Sequence, residues 1–215
     1  MFGVKLFLKS KIAKSQPLLS KLRVHLWKHT DELQIQIDRH FEHLGLDNAI
    51  IHSHRMIEQI RKIGCERRSR VLAVGCCNMI EIHAFKSYGY DDVVGVDLVS
   101  SDPQFIKVMD MHSMAFENHS FDVLYSSGTF HCTYDPSQLA AEFVRVVKRG
   151  GVLCITVPID FTPSRAYPYD PGSLAGLSAL FEKDISETLW SEIVPANSEF
   201  NPNGNSVLRV IFRLK

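Results

Sequence analysis

The chain has 215 residues, 45% hydrophobic and 22% charged, with 24 basic and 24 acidic side chains in balance. This length and composition suit one large globular domain that can bury a full core without metals or disulfides. The zero formal charge argues against a nucleic-acid partner, and the lack of a run of about 18 apolar residues argues against a transmembrane helix.

Residues 1–28 differ from the rest. Lys5, Lys9, Lys11, Lys14, Lys21, Arg23 and Lys28 are interspersed with Phe2, Val4, Leu6, Phe7, Leu8 and Ile12, and no acid precedes Asp31. The segment lacks the unbroken apolar stretch and cleavage site of a secretory signal. A basic amphipathic segment of this kind can make a peripheral contact with an anionic membrane surface, act as a transit peptide, or extend as a solvated helix. From Leu18 to about His43, Leu22, Leu26, Leu33, Ile37 and Phe41 recur at helical spacing. A second helix is predicted from about Asn48 to Ile63, with Asp47 as N-cap and Gly64 at its end. Residues 1–64 are therefore expected to be a basic segment and helices packed on a domain spanning 65–215.

Beyond Gly64 the pattern alternates. Arg70–Gly75 is a short, almost wholly apolar run, as expected of a parallel strand buried on both faces. Met79–Tyr88 reads as a helix ending at Gly89. Val93–Asp97, Phe105–Met109 and Phe121–Ser126 read as strands. Pro136–Lys148 reads as a helix capped by Asp135, with proline in its first turn. Arg149-Gly150-Gly151 turns into a strand at Val152–Val157. Only Leu98–Gln104 links the second and third strands, so the usual crossover helix is expected to be reduced to a turn there. Pro158–Gly172 reads as a loop, Leu174–Glu182 as a helix, and Thr188–Val194 and Val207–Leu214 as a closing antiparallel pair. Alternating strands and helices imply an α/β, doubly wound, Rossmann-like sheet whose parallel strands end on one edge, where ligands bind.

The five cysteines, Cys65, Cys76, Cys77, Cys132 and Cys154, are odd in number and match no disulfide framework. They read as thiols of a reducing, cytoplasmic compartment. No Cys or His spacing suggests zinc, so no metal is expected.

Three positions carry the chemistry. Gly75 ends the first strand and runs into a helix, a turn that points backbone N–H groups into the crevice. Asp97 ends the second strand at the offset of a ribose-binding acid, and a carboxylate can accept from both ribose hydroxyls. Asp110, after the third strand, can accept from an adenine amino group while the backbone N–H of Met111 donates to the ring. A loop acid that bonds its own backbone is the alternative at both aspartates.

The ordered set Val71–Cys77, Val94–Leu98, Val108–His112, Phe121–Ser126 and Phe143–Gly151 resembles the class I S-adenosylmethionine-dependent methyltransferase family, and is most similar to its small-molecule "methyltransferase domain" group. The resemblance covers about residues 68–160. It implies a seven-stranded sheet with the last strand antiparallel, S-adenosylmethionine as cofactor and a small-molecule acceptor. It also implies that Gly75, Cys76 and Cys77 pass the methionine part of the cofactor, that Asp97 and Leu98 meet the ribose, and that Asp110 and Met111 frame the adenine. Ser126 and Ser127 would stand near the reacting methyl group.

The family turn is acid-x-Gly-x-Gly-x-Gly; here Ala73 replaces the acid, Cys77 the second glycine and Met79 the third. Many relatives carry Glu-His after the fourth strand, where this chain has His131-Cys132. His131 and His112 are the candidate general bases, with polar residues at the pocket rim as the alternative. Asp160, Arg165, Tyr167 and Tyr169 of the Pro158–Gly172 loop are candidates to meet the acceptor. Two readings follow: an active methyltransferase, or a degenerate relative that binds the cofactor weakly or serves as a partner-binding module.

Overall fold

A computed structural model describes residues 46–76, 79–197 and 204–215. The expected helix from Leu18 to His43 and the basic segment 1–28 lie outside these residues, as does Cys77. The elements in chain order are α1 (Leu46–Lys62), β1 (Val71–Val74), α2 (Ile80–Ser87), β2 (Val93–Asp97), β3 (Ile106–Val108), β4 (Phe121–Ser127), α3 (Pro136–Val146), β5 (Val147–Pro158), α4 (Leu174–Ala179), β6 (Ile185–Val194) and β7 (Val207–Leu214). A short 3-10 turn, Phe130–Cys132, lies between β4 and α3.

The strands form one sheet in the order β3-β2-β1-β4-β5-β7-β6. All neighbours from β3 to β5 are parallel, and β7 is antiparallel to both β5 and β6. The α/β class, the seven strands and the closing antiparallel pair are as expected. The link 98–105 holds no helix, so the parallel β2–β3 step is made by a turn alone. Asp102 builds it: its carbonyl accepts from the N–H groups of Phe105 and Ile106, and its carboxylate accepts from Gln104 N–H.

β1 is buried along its whole length, because both faces of the sheet are covered. Leu72 and Val74 face one apolar layer with Leu124, Phe130, Phe143 and Phe212. Val71 and Ala73 face the other, with Tyr125, Met56 and Ile60 of α1, and Ile82 and Phe85 of α2. The period-two alternation of the strand thus meets two helix faces at once.

The helix ends follow local chemistry. Asp135 accepts from Gln138 N–H at 2.9 Å and caps α3 as expected. Gly64, at φ 89°, closes α1 with Gly64 N–H donating to Arg61 O and Cys65 N–H to Ile60 O. Asp47 lies inside α1 and not before it, as an N-cap would. α3 stops at Val146, two residues short of expectation, because Val147 pairs with Phe121 before residues 148–151 bulge out and Val152 takes up Val123. Helical periodicity alone does not register that competition. α4 ends at Ala179 rather than Glu182, and β6 starts three residues earlier than expected, at Ile185.

The segment after β3 is tied down by one side chain. Arg145 of α3 donates to Phe116 O and Met114 O, to Asn118 Oδ1, and through Nε and Nη2 to both oxygens of Glu142, all at 2.7–2.8 Å. Glu142 in turn accepts from Met114 N–H. Only a planar, multidentate guanidinium can serve so many acceptors. Arg145→Lys is expected to lower stability by about 2 kcal/mol, the scale of one or two lost bonds to charged groups. Urea unfolding should show a lower midpoint with unchanged slope.

Candidate functional site

The parallel register brings the ends of β2, β1 and β4 side by side: Val74 pairs with Val96 on one flank and Ser126 on the other. Gly75, Asp97 and Ser127 are the next residue along each strand, so the three sequence candidates stand together at the sheet's C-terminal edge. Gly75 is at φ 82° and donates its N–H to Val96 O at 2.8 Å. A Cβ at Gly75 would run into the Thr129 side chain. Only glycine therefore allows the β1 turn and the loop after β4 to close up on each other.

The other candidates fall into place differently. Cys76 is 1% exposed and its Sγ donates back to Ala73 O, so its thiol faces the protein rather than the crevice. Asp97 Oδ1 accepts from Val99 N–H at 3.1 Å, which holds the carboxylate at the start of its loop. Leu98 and Met111 are half-buried. Ser126 is fully buried, and its Oγ has no hydrogen-bond partner.

Asp110 is the centre of a second cluster. Its Oδ1 accepts from His112 N–H and from His112 Nδ1 at 2.8 Å, and its Oδ2 accepts from Tyr134 OH at 3.0 Å. With Nδ1 donating, His112 Nε2 accepts from the Thr133 hydroxyl at 2.7 Å. The Tyr134 ring stacks on His112 with centroids 3.7 Å apart. Burial alone would raise the Asp110 carboxyl, but the bonds from His112 and Tyr134 outweigh it and hold it below the usual carboxylate range. Neither ring nitrogen of His112 is open to an acceptor, and its side chain is 1% exposed. His112 thus stitches the loop after β3 to the loop after β4. Asp110 keeps lone-pair capacity on Oδ2 alone.

His131 differs. It is 7% exposed, and its Nδ1 has no hydrogen-bond partner. Burial pushes its pKa down to about 4, so the ring is neutral at physiological pH. The loop after β5 covers it: Tyr167 lies against the imidazole at 4.7 Å and Phe161 meets it edge-on at 6.1 Å. The adjacent Cys132 thiol, 3.9 Å from Nε2, is pushed up to about 12 by burial, so the pair is not a thiolate–imidazolium nucleophile.

Residues 72–155 match the family model described as "Methyltransferase domain". Over these residues the chain is similar to the methyltransferase domain family. Among solved structures, the domain is similar to a Burkholderia thailandensis 1,6-didemethyltoxoflavin-N1-methyltransferase, solved with 1,6-didemethyltoxoflavin and S-adenosylhomocysteine bound: 15% identity, TM-score 0.66, 87% of each chain covered. It is also similar to a SAM-dependent methyltransferase from Methanosarcina mazei, at 16% identity and TM-score 0.57, covering 72% of this chain and 96% of that one. The cyclase SpnF shares the fold too, at 13% identity and TM-score 0.60, with 75% and 80% covered. At these identities the likeness is one of fold. No curated protein matches the sequence. Among the described residues, no helix is long and apolar enough to cross a membrane.

Two departures from the methyltransferase turn acquire a geometry. Met79 stands where the family pattern has its third glycine, and its backbone is at φ 70°, in the left-handed region. The turn has kept a glycine conformation without the glycine. Met79 packs its side chain into the α1/α2 layer, which offsets a conformational cost of about 1–2 kcal/mol. Ala73 stands where the family has its acid, and a different acid is buried nearby. Glu81, in the first turn of α2, is 8% exposed and its Oε2 has no hydrogen-bond partner. Burial pushes its carboxyl up to about 7; its own backbone N–H pulls it down, and Asp97 pushes it up further. Sequence reasoning missed Glu81, although an acid three and four residues before the buried Ala84 and Phe85 lies on the apolar stripe of the helix.

Met79→Ala and Met79→Gly remove the same side chain, but only alanine retains the backbone strain. Glycine is expected to be the more stable variant by about 1 kcal/mol, the reverse of an ordinary helical position. Urea unfolding of the two proteins compares them directly. The Glu81 carboxyl has a higher pKa folded than unfolded, so the fold binds the proton more tightly and loses stability as pH rises from about 4.5 to about 7. At pH 8, Glu81→Gln should exceed the wild type by up to about 3 kcal/mol, with the gap closing by pH 5; a gap independent of pH would contradict this.

Proposed function

We propose that this chain is an S-adenosylmethionine-dependent methyltransferase whose acceptor is a small molecule held beneath the loop after β5. The observation that carries the reading is the juxtaposition of Gly75, Asp97 and Ser127 at one sheet edge, inside a domain that matches the methyltransferase family. A polar ligand suits these strand ends: Ser126, paired with Val74 just before Gly75, carries a buried hydroxyl with no hydrogen-bond partner. When bound, the sulfonium supplies an activated methyl group, so the protein's task is to position the two reactants and exclude water.

Asp97 takes the ribose hydroxyls, with Leu98 packed beside them. Asp110 offers its remaining Oδ2 lone pair to the adenine amino group, and Met111 borders the ring. The backbone of Gly75 and Cys76 runs along the methionine part. His131 is the base for an acceptor that must lose a proton. Its imidazole is neutral and buried under an aromatic cover, and Nδ1, which has no hydrogen-bond partner, is the atom that would accept the proton. Phe161 and Tyr167 suit a flat or apolar acceptor.

Titration calorimetry with S-adenosylhomocysteine tests the binding half. The wild type should bind, and Asp97→Ala should weaken binding by about tenfold to a hundredfold, the worth of hydrogen bonds to a charged group. Absence of binding by the wild type at millimolar ligand refutes the proposal. For the chemical half, labelled methyl transfer into a small-molecule extract should occur with the wild type. It should fall sharply in His131→Ala while S-adenosylhomocysteine affinity stays within about twofold.

A further inference from the structure

Glu81 is a buried acid for which the fold has no use. Hydrophobic stability would favour a leucine or glutamine at a helix position this enclosed, and an ionised carboxylate there costs free energy unless it is paired. Among the described residues, no lysine, arginine or histidine forms an ion pair with it, and its Oε2 accepts from nothing.

The surroundings locate this oxygen. Asp97 at the end of β2 and Tyr125 on β4 both interact electrostatically with Glu81. Glu81 stands in the first turn of α2, beside Ile82, whose Cδ1 lies over Gly95 of β2, the residue paired with Ala73 of β1. Ala73 is the β1 residue paired with Gly95 of β2 and with Tyr125 of β4, and it faces this same layer. Ala73 and Gly95 are the small floor on which α2 rests: a Cβ on Gly95 would meet Cys76 Sγ at 2.5 Å and Ile82 Cδ1 at 2.9 Å. The lack of a side chain at Gly95 and the methyl of Ala73 let α2 settle close to the sheet. Glu81 immediately precedes Ile82 on that helix. Tyr125 OH is held at 3.1 Å by Ser53 of α1, which walls the cluster on its far side.

An acid in the first turn of α2 thus adjoins the part of the sheet where the family turn has its acid and this chain has Ala73. We propose that Glu81 receives the primary ammonium of the cofactor's amino-acid end. This rests on the cofactor assignment above and adds a residue and a role to it. A cationic ammonium is the complement of the site on three counts. It supplies a donor to Oε2, it cancels the mutual repulsion of Glu81 and Asp97, and it compensates the buried charge. Glu81 in this role positions the ligand and takes no part in bond making.

The test crosses one substitution with one ligand truncation. Glu81→Gln keeps the shape of the side chain and removes its charge. S-adenosylhomocysteine carries the ammonium, whereas 5′-methylthioadenosine keeps the adenosine and thioether but lacks the amino-acid end. Glu81→Gln is expected to weaken S-adenosylhomocysteine about tenfold or more and to leave 5′-methylthioadenosine within about twofold, as read by calorimetry and by competition. An unchanged S-adenosylhomocysteine affinity, or a loss that 5′-methylthioadenosine shares, overturns the role of Glu81 while leaving the cofactor assignment standing. A wild type that binds neither ligand overturns the assignment and this inference together. Far-UV circular dichroism and the urea midpoint of the variant confirm that the comparison is made on a folded protein.

Discussion

β1 is hydrogen-bonded along both edges and buried on both faces, and the rest of the molecule is arranged around that constraint. A strand enclosed on four sides cannot slip by one residue without exchanging Leu72 and Val74 for Val71 and Ala73 between two differently shaped layers. Its register is thus fixed, and so are the levels at which β2 and β4 end. The crevice at the C-terminal edge follows from this. The close approach of Thr129 to Gly75 then sets how tightly the loop after β4 closes over the turn. Arg145 on one side and the Asp110–His112–Thr133 chain on the other hold the remaining loops to the same frame.

Several features of the crevice work against stability. Met79 holds a backbone conformation that suits glycine, Glu81 buries an unsatisfied carboxyl, and Ser126 and His131 each leave a polar atom without a partner. A fold selected for stability alone would not retain four such costs within one edge of one sheet. Other buried polar side chains of the molecule are paired: His112 is bonded at both nitrogens, and Arg209 is paired with Glu192 at 2.9 Å. Unmet hydrogen-bonding capacity at Ser126, His131 and Glu81 is of the kind a ligand can satisfy.

The sheet was largely legible in the sequence because its signals are local. Val71–Val74 and Val93–Asp97 are apolar runs of strand length bounded by turn residues, and Asp135-Pro136 announces a helix start. The misjudged boundaries lie where two patterns compete. Val147 fits the apolar stripe of α3 as well as it fits β5, and the ladder to Phe121 decides the matter from 26 residues away. The crevice was legible in part. Gly75, Asp97 and Ser127 could be placed because each ends a strand, and adjacency of strand ends is a property of topology. The roles of His112 and His131 could not be separated by sequence, since both are single histidines in polar loops. What distinguishes them is Asp110 and Thr133 on one ring and the aromatic cover on the other, contacts that arise only once the loops have packed. Glu81 was hidden for a related reason: an acid between two isoleucines is ordinary on a helix surface, and only the small floor at Ala73 and Gly95 draws that turn of α2 inward.

The two margins of the sheet bear on how the chain behaves among its own copies. β3 is three residues long. β6 is longer, but its pairing with β7 shifts register between Ile185 and Glu187 and again between Thr188 and Trp190, and it carries Glu187 and Glu192. An unpaired strand recruits another chain when it is long, flat and uncharged. A stub at one margin and a twice-bulged, acidic strand at the other meet none of those conditions together. Five buried apolar strands can thus lie between them without the sheet becoming a template for strand-by-strand aggregation.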